Sequence, residues 1–177
     1  VYWTDGYGRV SYTTNSIISP VVKIALKEFA GDMKAVTGFE AKEKNGAPIQ
    51  IYQLDQLSNK EFSAVEKLGA PLHLIITGKD AFYIGTRKKK VIVIGSNARG
   101  TAYAIMKLSE LAGVSPLMAW NDLQPAQRKS LYTPVDQQWI EIPRIEFRGL
   151  ALNNSQWMKP QNYSRIARLM LRLRANT

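Results

Sequence analysis

The first two thirds of the chain alternates short apolar runs with amphipathic stretches, which is typical of an α/β protein. Apolar residues recur at steps of three and four between Ser19 and Gly38 and between Arg99 and Gly113, which predicts two long helices. The other predicted elements are a strand or hairpin in 2–15, strands at 49–52, 72–77, 81–84 and 91–94, and a short helix at 58–68. One α/β domain with a mixed sheet and helices is therefore predicted for residues 1–120.

A basic run, Arg87 to Lys90, falls between the last two predicted strands. Its spacing is typical of a hairpin with a solvated tip. No aromatic residue interrupts the run, so we assign it no role in binding nucleic acid.

The remainder of the chain follows a different pattern. Residues 121–143, polar and proline-containing, are predicted to be a connector. Residues 144–177, called the second unit below, contain a predicted strand at 144–152, a polar loop and a helix. The helix carries an apolar face opposite an arginine stripe; the apolar residues are Tyr163, Ile166, Met170 and Leu173, and the arginines are Arg165, Arg168 and Arg172. One strand and one helix cannot bury their own apolar faces, so we expect the first βα unit of a larger barrel or sheet, truncated in this chain.

Composition limits the classes of function. The chain has 177 residues, 45% of them hydrophobic and 21% charged, which fits a globular protein, and its apolar runs are shorter than the roughly 18 residues of a membrane span. Cysteine is absent, which excludes disulfides and thiolate metal sites. The net charge is +10, but from Arg144 onward seven basic residues face one acidic residue, so most of the excess lies in the second unit. This location argues against a nucleic-acid-binding domain.

Two stretches resemble a known family. The sequence VIVIGSNARGTAYAIMKLSELAGVSP at 91–116 resembles the end of the N-terminal domain of glycoside hydrolase family 115, the xylan α-glucuronidases. The sequences FRGLALNN at 147–154 and YSRIARLMLRLRAN at 163–176 are similar to the start of the same family's (β/α)8 catalytic barrel. The resemblance implies an N-terminal α/β domain beside a (β/α)8 barrel. It also implies inverting hydrolysis that removes glucuronic acid, or its 4-O-methyl form, from xylan side chains.

The chain also departs from the family pattern. Where the family has Asn-Asp-Glu after the first barrel strand, this chain has Asn153, Asn154 and Ser155, so both carboxylates are absent. Of the family's aromatic-rich stretch after Ser-Pro, Trp120 and Asp122 are the residues retained. These departures imply that substrate specificity can differ from that of the known glucuronidases.

The candidate substrate-binding residues are Asn153, Asn154 and Trp157, which follow the predicted first barrel strand. Barrel enzymes place their sites at this rim, where an amide can bind a sugar hydroxyl and an indole ring can stack on a pyranose face. The competing interpretations are a loop asparagine that caps a turn and a tryptophan that packs the loop onto its neighbour. Trp120 and Trp139 lie in or beside the connector and are expected to pack the two parts together.

Arg148 lies inside the predicted strand of the second unit and needs a carboxylate partner if it is buried. That partner is either structural, from the rest of the barrel, or the carboxylate of a uronic acid substrate. The arginine stripe of the final helix is expected to be solvated or paired with acids of the next helix.

Neither a catalytic pair nor a metal site is predicted. Glycoside hydrolysis uses two carboxyl groups, and we find no pair on the predicted rim, so the acid and base are expected on later barrel strands and no catalytic residue is assigned here. The one histidine, His73, lies in a predicted apolar strand and is expected to be a core or edge residue. No cofactor is predicted, because the turn at 95–100 lacks the spacing of a phosphate-binding loop.

Three hypotheses follow. The leading one is the N-terminal part of a secreted or periplasmic glycoside hydrolase that acts on a polysaccharide or oligosaccharide bearing uronic acid. The alternative is a non-hydrolytic carbohydrate-binding protein of the same architecture, suggested by the loss of acids at Asn154 and Ser155. A nucleic-acid-binding domain is the third and is disfavoured by the location of the charge. No membrane partner is expected, and the sequence is compatible with a homodimer.

Overall fold

A six-stranded mixed sheet runs through the computed structural model, which describes residues 1–121, 123–151 and 159–177. The strands are β1 (Ser11–Thr14), β2 (Lys42–Glu43), β3 (Ile49–Gln53), β4 (Phe82–Arg87), β5 (Lys90–Gly95) and β6 (Gln138–Glu141). The helices are α1 (Pro20–Thr37), α2 (Asn59–Glu66), α3 (Leu72–Ile75), α4 (Ala98–Leu111), α5 (Met118–Asn121) and α6 (Pro160–Arg172), with a 3-10 turn at Leu54–Gln56. The predicted α/β fold is confirmed.

The sheet order is β2-β1-β3-β5-β4-β6. The pairs β1–β2, β1–β3 and β3–β5 are parallel, whereas β4 pairs antiparallel with β5 and with β6. Residues 91–94 of β5 are all buried, because α1 and α4 cover one face of the sheet and α2 and α3 cover the other. A continuous apolar run is what a strand covered on both faces requires.

The predicted hairpin is present, with a shorter tip than its charge pattern indicated. Lys88 and Lys89 form the turn with φ of 48° and 60°, the left-handed conformation that a tight two-residue hairpin turn needs. Arg87 and Lys90 therefore belong to the strands. The guanidinium of Arg87 lies 5.6 Å from the ring centroid of Tyr83.

Local signals set the ends of the helices. Pro20 occupies the first turn of α1, and Gly38, with φ of 86°, ends it by donating its N–H to Lys34 O at 2.9 Å. Asn97 begins α4, since its Oδ1 accepts the N–H of Gly100 at 2.8 Å. The predicted boundaries of both helices agree with the structure to within one or two residues.

A capping box begins α2 and also ties it to the segment before α1. Ser58 and Glu61 bond to each other's backbone N–H groups, and Glu61 Oε1 accepts the N–H of Ser16 at 2.8 Å. The bond from Ser16 and those from Ser58 lower the pKa of Glu61 to about 2.

The strand predicted at 72–77 is wrong, because this segment forms the short helix α3. Pro71 precedes it, and a single helical turn buries Ile75 completely beneath the sheet while His73, Leu74 and Ile76 stay exposed. Of this apolar run, the helix buries Ile75 fully, and the run does not pair as a strand. The expectation that His73 is a core or edge residue of a strand is also wrong.

The predicted connector contributes an edge strand, β6, which pairs with β4. The division into residues 1–120, 121–143 and 144–177 stays a prediction, because secondary structure alone does not test it.

The second unit contains the predicted helix as α6, but residues 144–151 do not form a strand. An extended segment becomes a strand only beside a hydrogen-bonded neighbour strand, and residues 144–151 lie beside the short segment 175–177 instead. There Asn176 donates its N–H to Arg148 O at 2.6 Å, and Arg148 donates its N–H to Asn176 Oδ1 at 2.9 Å. Ile145, Phe147 and Leu150 are 68%, 70% and 57% exposed.

None of the described helices combines the length and the apolar composition that crossing a bilayer requires.

We predict opposite effects for two glycine substitutions. A Cβ at Gly95 would collide with the backbone of Thr101, so Gly95→Ala should lower the free energy of unfolding by about 3 kcal/mol. Gly31 lies in α1 with open space around its Cα, so Gly31→Ala should raise the free energy of unfolding by about 0.5–1 kcal/mol through helix propensity. Urea unfolding followed by circular dichroism measures both. Equal stability of the two variants would contradict the close approach of β5 to α4.

Candidate functional site

The three residues predicted to bind substrate, Asn153, Asn154 and Trp157, lie outside the described residues. Their roles therefore stay predictions. The described residues closest to them in sequence are Ala151 and Lys159. Contacts between the second unit and the α/β domain lie on both sides of this gap, at Arg148 before it and at Arg172 after it.

A buried carboxylate, Asp80, joins the two parts of the chain. It lies just before β4 with φ of 60°, a left-handed conformation that aspartate tolerates better than most residues, and its side chain is 0% exposed. Its four partners come from the start of α4 and from the second unit; the distances are 3.1 Å to Asn97 Nδ2, 2.9 Å to Arg99 Nε, 3.2 Å to an Arg148 terminal nitrogen and 3.1 Å to Asn176 Nδ2. We call these five residues the Asp80 cluster.

The cluster keeps Asp80 ionised. Burial desolvates the carboxylate and opposes its charge, but the hydrogen bonds from Arg99, Asn97 and Asn176 outweigh burial, so the pKa of Asp80 lies below its ordinary value. A fully buried carboxylate held by two arginines has no access to a substrate. Asp80 is therefore a structural residue rather than an acid or base.

The partner of Arg148 is thus structural, one of the two possibilities that the sequence left open. The carboxylate comes from the α/β domain rather than from the rest of a barrel. Arg148 also donates to backbone carbonyls of its own unit, at 3.0 Å to Arg174 O and 2.6 Å to Ile145 O. With its hydrogen bonds committed in this way, the side chain is not available to a uronic acid.

A second ion-pair group attaches α6 to α1. Arg172 donates to both carboxylate oxygens of Asp32, at 2.8 and 2.9 Å, and to Glu28 at 3.2 Å. Burial opposes the charge on Arg172, but Asp32 and Glu28 hold its pKa above the ordinary value. Arg168 lies 3.3 Å from Glu28. The expectation that this arginine stripe is solvated or pairs with the next helix is wrong for Arg172, which is 11% exposed and bound by acids of α1. It holds for Arg168, which is 60% exposed although it also contacts Glu28.

Four further contacts complete the joint. Tyr103 donates its hydroxyl to Ala175 O at 2.8 Å, and Arg174 donates to Glu110 at 2.7 Å. Arg165 lies 4.7 Å from the ring centroid of Trp120 and donates to Ala119 O at 2.8 Å. Trp120 therefore packs the connector region against α6, as predicted, although Trp120 remains 44% exposed.

The other predicted packing residue, Trp139, lies in β6 and is partly buried against the core of the α/β domain. A cavity of about 360 Å³ lies between α1, α5 and α6, with Trp120, Arg165 and Glu28 among its lining residues. Because its charged groups are mostly paired with each other, we assign it no ligand.

Among the residues that the structure describes, no group of three or more histidines, cysteines or acids is placed to hold a metal ion.

Solved structures similar to this chain are glycoside hydrolases. One is a family GH115 4-O-methyl-α-glucuronidase with specificity for decorated arabinogalactans; it shares 26% identity at a TM-score of 0.80 over 97% of this chain and 25% of its own. Chitobiase of Flavobacterium johnsoniae matches 99% of this chain at 16% identity and TM-score 0.60, over 24% of its own length. A GH20 exo-β-N-acetylglucosaminidase from Vibrio harveyi matches 96% at 12% identity and TM-score 0.57, over 21% of its own length.

The chain spans about a quarter of each of these proteins. At 16% and 12% identity, the two later matches show the fold alone. The first supports a fold like that of family GH115. No protein-family model and no curated protein matches the sequence.

The sequence interpretation missed Asp80. One acid in a polar turn gives no sign that it is buried, and its partners lie as far away as Asn176. The one available signal was Arg148 in an apolar segment, which called for a carboxylate without identifying it.

We predict that Asp80→Asn lowers the free energy of unfolding by about 2–3 kcal/mol. The change keeps the shape of the side chain but leaves Arg99 and Arg148 without their counter-charge; the cost is below that of a fully buried pair because Arg99 is 42% exposed. Chemical unfolding measures it. Glu40→Gln, which removes an exposed partner of Lys34, is the matched control and should change stability by less than about 0.5 kcal/mol. Equal effects would show that the cluster does not hold the units together.

The same carboxylate predicts a dependence of stability on pH. Because the pKa of Asp80 is lower in the folded than in the unfolded chain, its contribution is complete above about pH 5 and is lost as pH falls through the lowered pKa, below about 4. The stability difference between the native chain and Asp80→Asn should therefore shrink on acidification. Urea midpoints at pH 7, 5 and 3 measure it, and a difference that stays constant would contradict an ionised Asp80.

Proposed function

We propose that this chain is the N-terminal α/β domain and the first βα unit of the (β/α)8 catalytic barrel of an α-glucuronidase-like glycoside hydrolase. The observation that carries the proposal is the match to the GH115 enzyme, which covers 97% of this chain, second unit included, at TM-score 0.80. A match confined to the α/β domain would have left the barrel unsupported. The motifs at 91–116 and 147–176 resemble the same family and lie on the two sides of the Asp80 cluster.

The geometry of the second unit supports its role as a barrel start. Arg148 and Asn176 exchange hydrogen bonds between the segment before the polar loop and the segment after α6. The chain therefore returns after α6 to lie beside the segment that precedes the polar loop, which is the chain path of the βα repeat in a (β/α)8 barrel, although neither segment forms a strand here. The exposed Ile145, Phe147 and Leu150 then belong to the barrel interior and to its contacts with later helices.

Hydrolysis in this proposal belongs to the later strands. A glycosidase needs one carboxyl group as an acid and a second as a base or nucleophile, roughly 5–10 Å apart and open to the substrate. Asp80 and Asp32, the buried acids of the described chain, are instead bound to arginines. The chain contributes substrate contacts at Asn153, Asn154 and Trp157 and holds the first strand in place.

The proposed substrate is a polysaccharide that bears glucuronic acid or its 4-O-methyl form. Family resemblance favours xylan, and the GH115 enzyme with the similar fold acts on decorated arabinogalactans. Polymers of this size are degraded outside the cytoplasm, so we propose a secreted or periplasmic protein that needs no cofactor.

We predict that the protein extended through a complete barrel releases uronic acid from 4-O-methylglucuronoxylan or from glucuronic-acid-decorated arabinogalactan, and that the 177-residue chain alone releases none. Anion-exchange chromatography of the products measures release, and the same polymers stripped of uronic acid are the control. Binding without release would favour the non-hydrolytic alternative. Neither binding nor release would contradict both.

A further inference from the structure

Two exposed tyrosines, Tyr2 and Tyr132, stand side by side on the α/β domain. They face each other across an antiparallel bridge, with Trp3 N–H donating to Leu131 O and Thr133 N–H donating to Val1 O, both at 2.8 Å. These bonds flank the pair rather than join it, which is the arrangement that brings side chains closest. The ring centroids are 5.9 Å apart, the rings are tilted by 54°, and each side chain is 65% exposed.

The neighbours of the two tyrosines fix this arrangement. Trp3, Leu131 and Thr133 point into the core and are 2%, 3% and 2% exposed. The indole N–H of Trp3 donates to Thr133 Oγ1 at 2.7 Å. Because successive side chains of an extended segment point to opposite faces, the two tyrosine rings point to solvent while their neighbours point into the core. A pair of exposed aromatic rings on a bridged backbone with buried neighbours is positioned for stacking before a ligand binds, which reduces the entropy lost on binding.

A cleft with charged and polar side chains in its lining adjoins each ring. The cleft beside Tyr2, of about 290 Å³, is lined by Asp5, Lys44 and Asn45 among others. The cleft beside Tyr132, of about 210 Å³, includes Arg128 and Ser130. Each cleft thus offers a cation together with uncharged hydrogen-bonding groups next to an aromatic face.

We propose that the Tyr2–Tyr132 pair, with its two clefts, is a binding platform for a polysaccharide that carries carboxylate groups. A pyranose ring stacks on a tyrosine face, Asn45 and Ser130 bind its hydroxyls, and Arg128 or Lys44 pairs with a uronic acid carboxylate. The platform uses residues other than the predicted substrate contacts Asn153, Asn154 and Trp157. The choice of polymer rests on the proposed function, whereas the platform itself rests on the geometry of the pair.

The chemistry of the clefts favours a polysaccharide over single-stranded nucleic acid, which also stacks on aromatic rings. Asp5 lies in the Tyr2 cleft, and backbone hydrogen bonds from Arg9 and Tyr7 keep its pKa below the ordinary value despite some desolvation. Its negative charge would repel a phosphate that enters this cleft, and nucleic acid carries one phosphate on every nucleotide. A polysaccharide with occasional uronic acids meets no such regular repulsion, and its hydroxyls can donate to the carboxylate.

The test is affinity gel electrophoresis of the 177-residue chain in gels that contain 4-O-methylglucuronoxylan, compared with Tyr2→Ala and Tyr132→Ala. The native chain should be retarded, and each variant should lose affinity by about tenfold. Tyr132→Phe should retain binding, because the stacking face remains. Tyr7→Ala is the matched control, since Tyr7 is 77% exposed but lies outside both clefts, and it should bind like the native chain. Thermal unfolding verifies that all variants are folded.

Several outcomes would overturn the platform. These are no retardation by any uronic-acid polymer, equal retardation of the alanine variants, equal retardation by polyglutamate, which carries charge without sugar rings, or tyrosine-dependent retardation by single-stranded nucleic acid. Uronic acid release from short oligosaccharides by the extended protein does not require the platform. Failure of the platform therefore leaves the proposed hydrolysis standing, and failure of hydrolysis leaves polysaccharide binding measurable.

Discussion

The buried carboxylate of Asp80 imposes the strictest constraint on how the second unit attaches to the α/β domain. Removing Asp80 from water opposes its ionisation, and the structure compensates with two guanidinium groups and two side-chain amides. Two of these partners come from the second unit, so the carboxylate is fully compensated only when both parts are together. The cluster therefore requires Arg148 and Asn176 to be placed at defined positions beside Asp80, which an apolar contact would not require.

The same constraint explains the uneven charge of the sequence. The second unit carries a large basic excess, which by composition alone suggests a polyanion partner. In the structure, ion pairs join Arg148, Arg172 and Arg174 to acids of the α/β domain. Several of the positive charges in the second unit therefore bind acids of the same chain rather than an external partner. The cations beside Tyr2 and Tyr132 belong to a different surface, where they adjoin exposed aromatic rings.

Sequence patterns predicted those elements that local chemistry determines. The proline start and glycine end of α1, the amphipathic spacing of α2 and the apolar run of β5 each carry their own signal, and all three elements are present. The segment at 72–77 failed because a short apolar run does not distinguish a strand from one helical turn that buries a single residue. Asp80 could not be predicted, since its burial depends on partners distant in sequence. Asn153, Asn154 and Trp157, the predicted substrate contacts, fall outside the described residues and stay predictions.

The distribution of these ion pairs has a consequence for recombining domains. A chimera that joins residues 1–143 of this chain to the remainder of another protein would separate Asp80 from Arg148 and Asn176, and Asp32 from Arg172. Asp80 and Asp32 would then lack these partners at the new interface. Exchange between related proteins would have to carry α1, the Asp80 turn and α6 as a co-adapted set, so the useful crossover point lies beyond Asn176 rather than in the connector.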